Sequence, residues 1–132
     1  MTTHSRRLTT ALVLLASLAA PCVHATGEDR PPALDCNRGP LHRTFGATPW
    51  LVYACSDARS VVVMSDEGNP AMPFYFILYV KPDGEMKLYG EGTGKQSATQ
   101  AAFDELEKLT QDDVAALVDE VTRTNQTPDP AG

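Results

Sequence analysis

Pro73-Phe-Tyr-Phe-Ile-Leu-Tyr-Val80 runs into Lys81-Pro-Asp-Gly-Glu85 and out through Met86-Lys-Leu-Tyr89. The first eight residues are apolar on both sides of an extended chain, which predicts a strand central in its sheet. The next five are a turn with a mechanism. Pro82 presets φ, Asp83 supports the bend and Gly84 accepts a left-handed conformation. A three-residue loop of this kind, a type I turn closed by a glycine bulge, pairs Lys81 with Glu85. Val80 then faces Met86, and Leu78 faces Leu88. A two-residue loop would set Val80 and Leu78 against Glu85 and Lys87, so turn chemistry and hydrophobic pattern choose the same register. Phe74, Phe76, Leu78, Val80, Met86 and Leu88 fall on one side. Tyr75, Ile77 and Tyr79 point to the other, with Tyr89 opposite Ile77.

Working upstream, Asp66-Glu-Gly-Asn-Pro70 is a break. Ser60-Val-Val-Val-Met-Ser65 is rich in β-branched residues and predicts a strand. Ser56-Asp-Ala-Arg59 is a turn candidate, and Trp50 to Cys55 alternates as a strand does. Tyr53 on that strand joins the tyrosine side. Residues 33–48 hold Asn37, Gly39, Pro40 and Gly46 and predict an irregular segment pinned by a disulfide.

Working downstream, Ser97-Ala-Thr-Gln100 has the form of a capping box. It opens a helix with Ala102, Phe103, Leu106 and Leu109 inward. Thr110-Gln-Asp-Asp113 caps a second, with Asp112 and Asp113 in the first turn where they suit the helix dipole. Val114, Leu117, Val118 and Val121 follow the helical spacing. The expected fold is α+β: a four-stranded antiparallel sheet followed by a C-terminal helical hairpin packed on one face, in two layers.

The first 25 residues have the pattern of a signal peptide. Arg6 and Arg7 precede an apolar run from Leu8 to Ala20, and Val23 and Ala25 stand at −3 and −1 of a cut after Ala25. The run is shorter than the roughly 20 apolar residues that a membrane anchor needs. Leu18-Ala-Ala-Pro-Cys22 resembles a lipobox, with Pro21 where a small residue is wanted, so lipidation at Cys22 is the alternative. Removing residues 1–25 takes away Arg6 and Arg7 but none of the 17 acids. Nine bases then face 17 acids, a net charge of −8. Such a chain lacks the basic surface that nucleic acid requires, and its charge suits a cationic partner or solubility. Residues 26–32 read as a flexible linker and 125–132 as a disordered tail, leaving one small domain over 33–124. With Cys22 gone, Cys36 and Cys55 are an even pair in an oxidising compartment and predict a disulfide.

Candidate chemistry is sparse. Gly90-Glu-Gly-Thr-Gly94-Lys95 lies between a strand and a helix, where phosphate loops sit. A phosphate loop ending in Gly94-Lys95 requires glycine at Tyr89 and Ser or Thr at Gln96, so a plain connection is the better reading. His42 is the one histidine after residue 25. A Ser/His/Asp site would have to be built on it, and no Gly-x-Ser-x-Gly context marks a nucleophile. No cofactor and no metal site is expected, and the chain reads as a non-enzyme. Residues 104–120 carry seven acids against Lys108, a face that either is simply solvated or steers a basic partner.

Tyr53-Ala-Cys55-Ser-Asp-Ala-Arg-Ser-Val61-Val-Val63 resembles the opening strand pair of the membrane-bound/periplasmic lysozyme inhibitors. The likeness covers eleven residues, and it implies a small exported β-barrel that inhibits by binding. The C-terminal helices depart from that pattern. The functional expectation is an exported binding protein with Tyr53, Tyr75, Ile77, Tyr79 and Tyr89 as the partner-binding residues, unless residues 33–48 cover them. The alternatives are a self-assembling envelope protein, dimeric through the Tyr75/Ile77/Tyr79 face, and a lysozyme-inhibitor-like protein.

Overall fold

Five strands and two helices follow one another along residues 31–126, the part of the chain that the computed structural model describes. They are β1 (Arg38–Phe45), β2 (Thr48–Ala54), β3 (Val61–Ser65), β4 (Phe74–Val80), β5 (Met86–Gly92), α1 (Gln96–Leu106) and α2 (Gln111–Gln126). The signal-peptide pattern, the Cys22 alternative, residues 26–30 of the linker and 127–132 of the tail lie outside the described residues. Asn125 and Gln126, assigned to the tail by composition, belong to α2.

The strands form one antiparallel sheet in the order β1-β2-β3-β4-β5. The expected β4–β5 register holds: Val80 pairs with Met86, Leu78 with Leu88 and Ile77 with Tyr89. The turn closes as its chemistry requires, with Lys81 N–H donating to the Glu85 carbonyl at 2.8 Å and Gly84 at φ 92°.

The sheet has five strands where four were expected. The added strand, β1, lies in the segment read as irregular. Leu41, Arg43 and Phe45 share the inner face of β1. Arg43 is tolerated there because its guanidinium pairs with Glu120 of α2. The β1–β2 link is a two-residue turn, Gly46-Ala47, with both residues at positive φ (58° and 62°). That is the type I′ geometry, whose twist matches a tight hairpin.

Trp50, Val52, Val61, Val63, Phe76, Leu78 and Val80 point to one side of the sheet and are buried with Val114, Val118 and Val121 of α2 and Ala102 and Leu106 of α1. Trp50 is fully buried. Its indole N–H reaches the Phe45 carbonyl at 3.0 Å, and its ring lies 5.4 Å from that of Phe76. The helical layer is set toward one half of the sheet, with α2 packing across β1, β2 and β3 and α1 meeting β1. Thr110 caps α2 as read: its hydroxyl accepts from Asp113 N–H at 3.2 Å, and Asp113 accepts from Thr110 N–H at 2.8 Å. The proposed cap of α1 is displaced. Lys95 is the N-cap, no side chain caps it, and Ser97 stands inside the helix. Lys95 N–H donates to the Pro70 carbonyl at 3.0 Å, which fixes the chain's entry before Ser97 can serve.

The disulfide joins Cys36 to Cys55 across 19 positions. In the chain-entropy account such a closure contributes about 3 kcal/mol.

Candidate functional site: the sheet face away from the helices

Side chains alternate across a strand, so the register that buries Phe76 and Leu78 sends their neighbours to the opposite face. Two cross-strand rows result. One runs Tyr53–Val62–Ile77–Tyr89 through β2, β3, β4 and β5. The other runs His42–Leu51–Met64–Tyr75–Glu91 from β1 to β5. Tyr79 lies further along β4, opposite Lys87. All five residues singled out from the sequence therefore share one face. Each is half-buried, with Tyr53 and Tyr89 at the ends of one row and Tyr75 and Tyr79 on either side of Ile77.

The expected cover is not there in the form envisaged. Most of residues 33–48 is β1, which extends the sheet sideways instead of lying across it. The irregular residues before it run past the Cys55 end, where the Asp35 carbonyl accepts from Ser56 N–H at 2.6 Å. Both described helices pack on the other side. Gly39 opposes Tyr53 so closely that a Cβ there would stand 2.9 Å from Tyr53 Cδ1.

Leu51, Val62 and Met64 complete the face and were not singled out from sequence. The signal was available: Leu51 shares the parity of Tyr53 on β2, and Val62 and Met64 pair with Tyr53 and Leu51 on the same side. Met64 is 44% exposed, and Met72, in the β3–β4 connection, is 54% exposed. These two methionines flank a groove of about 380 Å3 walled by Pro73, Phe74, Tyr75 and Gly92. Methionine is flexible and polarisable, and it suits surfaces that adapt to a partner. At the rim, Tyr75 donates to Glu91 Oε2 at 2.8 Å. That hydrogen bond, with burial and the carboxylate charge adding to it, raises the Tyr75 phenol above its ordinary value.

The glycine run is structural. Thr93 and Gly94 N–H both donate to the Pro73 carbonyl, and Lys95 N–H to Pro70, so these three loop amides are engaged within the protein. Gly90 lies against Phe74 and Phe76, where a Cβ would stand 3.0 Å from both rings. His42 Nδ1 lies 3.1 Å from Asp66 Oδ2, beside a hollow of about 350 Å3 bounded by Arg43, Thr44 and Trp50. The imidazole is 74% exposed. Among the described residues, no group of three or more His, Cys, Asp or Glu is gathered for a metal ion.

A second built loop joins the disulfide end of the sheet. Asp57 Oδ1 accepts from Arg59 and Ser60 N–H at 3.0 and 2.9 Å, and Oδ2 from the Ser60 hydroxyl at 2.6 Å. The same Ser60 hydroxyl accepts from Val80 N–H at 3.0 Å. Burial pushes the Asp57 carboxyl up, but these hydrogen bonds and the nearby Arg59 together outweigh it and hold the group below its usual range.

Among the described residues, no helix is long and apolar enough to cross a membrane. The open five-stranded sheet is also not the barrel that the Tyr53–Val63 resemblance implies, since β1 and β5 are separate edges. No protein-family model, no curated protein and no solved structure matches this chain.

Proposed function

We propose that this chain is an exported, non-catalytic protein-binding domain whose contact surface is the tyrosine-bearing sheet face. The observation that carries the reading is the unbroken row Tyr53–Val62–Ile77–Tyr89, flanked by Leu51, Met64 and Tyr75. Tyrosine and methionine are enriched at interfaces because they offer apolar area with a polar or adaptable end. The disulfide fits an oxidising compartment. The partner is expected to carry positive charge. Glu91 stands on the face, and six exposed carboxylates on the opposite, helical layer (Asp104, Glu105, Glu107, Asp112, Asp113 and Asp119) add to a net negative charge that steers cations toward the protein.

A photo-cross-linking residue placed at Val62 in the exporting cell tests this. The expected result is one predominant protein adduct, weakened by salt and lost when Ile77→Asp is added to a chain that still melts cooperatively. Adducts that persist unchanged with Ile77→Asp, or none at all, refute face binding.

A further inference from the structure

The two edges of the sheet are not alike. Edge strands expose unpaired backbone groups and are commonly blunted. β1 is blunted: its register shifts between Arg38 and Leu41, and Pro40 within that stretch has no N–H. β5 keeps an unbroken register with β4 from Met86 to Gly92, and only its last residue, Gly92 at φ 147°, departs from ordinary extended backbone. Lys81 N–H bonds to the Glu85 carbonyl and Thr93 N–H to Pro73. Alternation between those fixed points turns the backbone groups of Lys87, Tyr89 and Glu91 toward β4 and those of Leu88, Gly90 and Gly92 outward.

We propose that β5 pairs antiparallel with β5 of a second copy about a two-fold axis at Tyr89, joining two sheets into one of ten strands. The evidence is self-complementarity. Tyr89 is the middle residue of the seven in β5, so this register uses the whole strand. It places Lys87 of each copy opposite Glu91 of the other, two opposite-charge pairs on the tyrosine-bearing face. It sets Leu88 opposite Gly90 and Met86 opposite Gly92, large against small, on the helical side. The outward backbone groups of Leu88 and Gly90 meet as a hydrogen-bonded pair, as antiparallel geometry demands. Centring the axis one residue earlier would instead bring Glu85 against Glu91, and like charges directly opposite are unfavourable.

The surroundings leave room for the second copy. The helical layer lies mainly over β1–β3, and Met86 and Leu88 at the far side are only half-buried. Pairing covers them and joins the two Tyr53–Val62–Ile77–Tyr89 rows end to end. A closed two-fold contact of this kind stops at the dimer, since β1 offers no matching edge. The inference concerns the edge of the sheet and stands without the face-binding reading.

The protein as isolated from expressing cells is examined by sedimentation across a concentration series. A dimer is expected. Lys87→Glu and Glu91→Lys should each weaken it about tenfold, because each replaces two attractive cross-strand pairs with two repulsive ones. The Lys87→Glu/Glu91→Lys double variant should restore it. Tyr89→Cys should form a disulfide-linked dimer, since residues opposite at a non-hydrogen-bonded position bring their Cβ atoms to about 4.5–5.5 Å; Tyr75→Cys should not. A monomer at every concentration overturns the proposal, as does a dimer that ignores both single charge reversals. A monomer that instead takes up a foreign extended peptide along β5 also overturns it.

Discussion

The Tyr75 hydroxyl donates to Glu91 Oε2 at 2.8 Å, across the β4–β5 ladder. The phenol is held above its ordinary value first by this bond. Glu91→Gln should therefore bring the Tyr75 titration back toward that of a free tyrosine. Ring-carbon NMR separates it from Tyr53, Tyr79 and Tyr89. An unchanged Tyr75 midpoint would show that the carboxylate is not the cause.

Asp57 supplies an acid-sensitive contribution to stability. Its folded value lies below its unfolded one, so the unfolded chain binds more protons in the interval between them and stability rises with pH there. The contribution is complete above the unfolded value of about 3.9 and is lost as pH falls through the folded value. Asp57→Asn should cost about 1–3 kcal/mol at neutral pH, because the Ser60 hydroxyl and two amides lose an ionised acceptor. It should also flatten the acid limb of a pH-dependent denaturation series. A variant that keeps the wild-type limb would remove Asp57 from that role.

The β1–β2 turn makes opposite demands at its two residues. A Cβ on Gly46 would stand 2.6 Å from the backbone of Ala101 and Ala102 in α1, and φ is already 58°. Gly46→Ala should destabilise by about 2–4 kcal/mol, from left-handed strain plus overpacking. Ala47 is exposed at φ 62°. Ala47→Gly should stabilise by about 0.5–1 kcal/mol, the relief of left-handed strain less the added unfolded-state entropy. Urea unfolding of the two variants should move the midpoint in opposite directions.

Removing the cross-link tests how much the small core needs it. Cys36→Ala/Cys55→Ala should lose about 2–4 kcal/mol while the fluorescence of the buried Trp50 keeps its native maximum at low temperature. A red-shifted native spectrum would mean that the disulfide also holds the core's packing.

The β4–β5 hairpin was legible because Pro82-Asp83-Gly84 and the flanking apolar pattern independently demand one register. From that register followed the side on which Tyr75, Ile77, Tyr79 and Tyr89 stand. β1 was not legible. Leu41 and Phe45 are its only large apolar residues, Gly39-Pro40 reads as a breaker, and the inward Arg43 becomes acceptable only through Glu120, 77 positions away. Met72 was not legible either, because its exposure beside Met64 is set by the path of a loop, which no periodicity encodes. The α1 cap moved for a similar reason: a tertiary hydrogen bond from Lys95 to Pro70 decides where that helix begins.

Strand order in the sheet equals strand order in the chain. A polypeptide delivered N-terminus first, from a ribosome or through a narrow pore, therefore finds each strand's partner already out and waiting. No strand has to be stored unpaired while a later one arrives, and Cys36 and Cys55 flank the first hairpin to emerge. A nascent chain arrested after Gly94, before either helix exists, should already hold that pair oxidised when an oxidase is present; reduced thiols at that stage would show that the helices must form first.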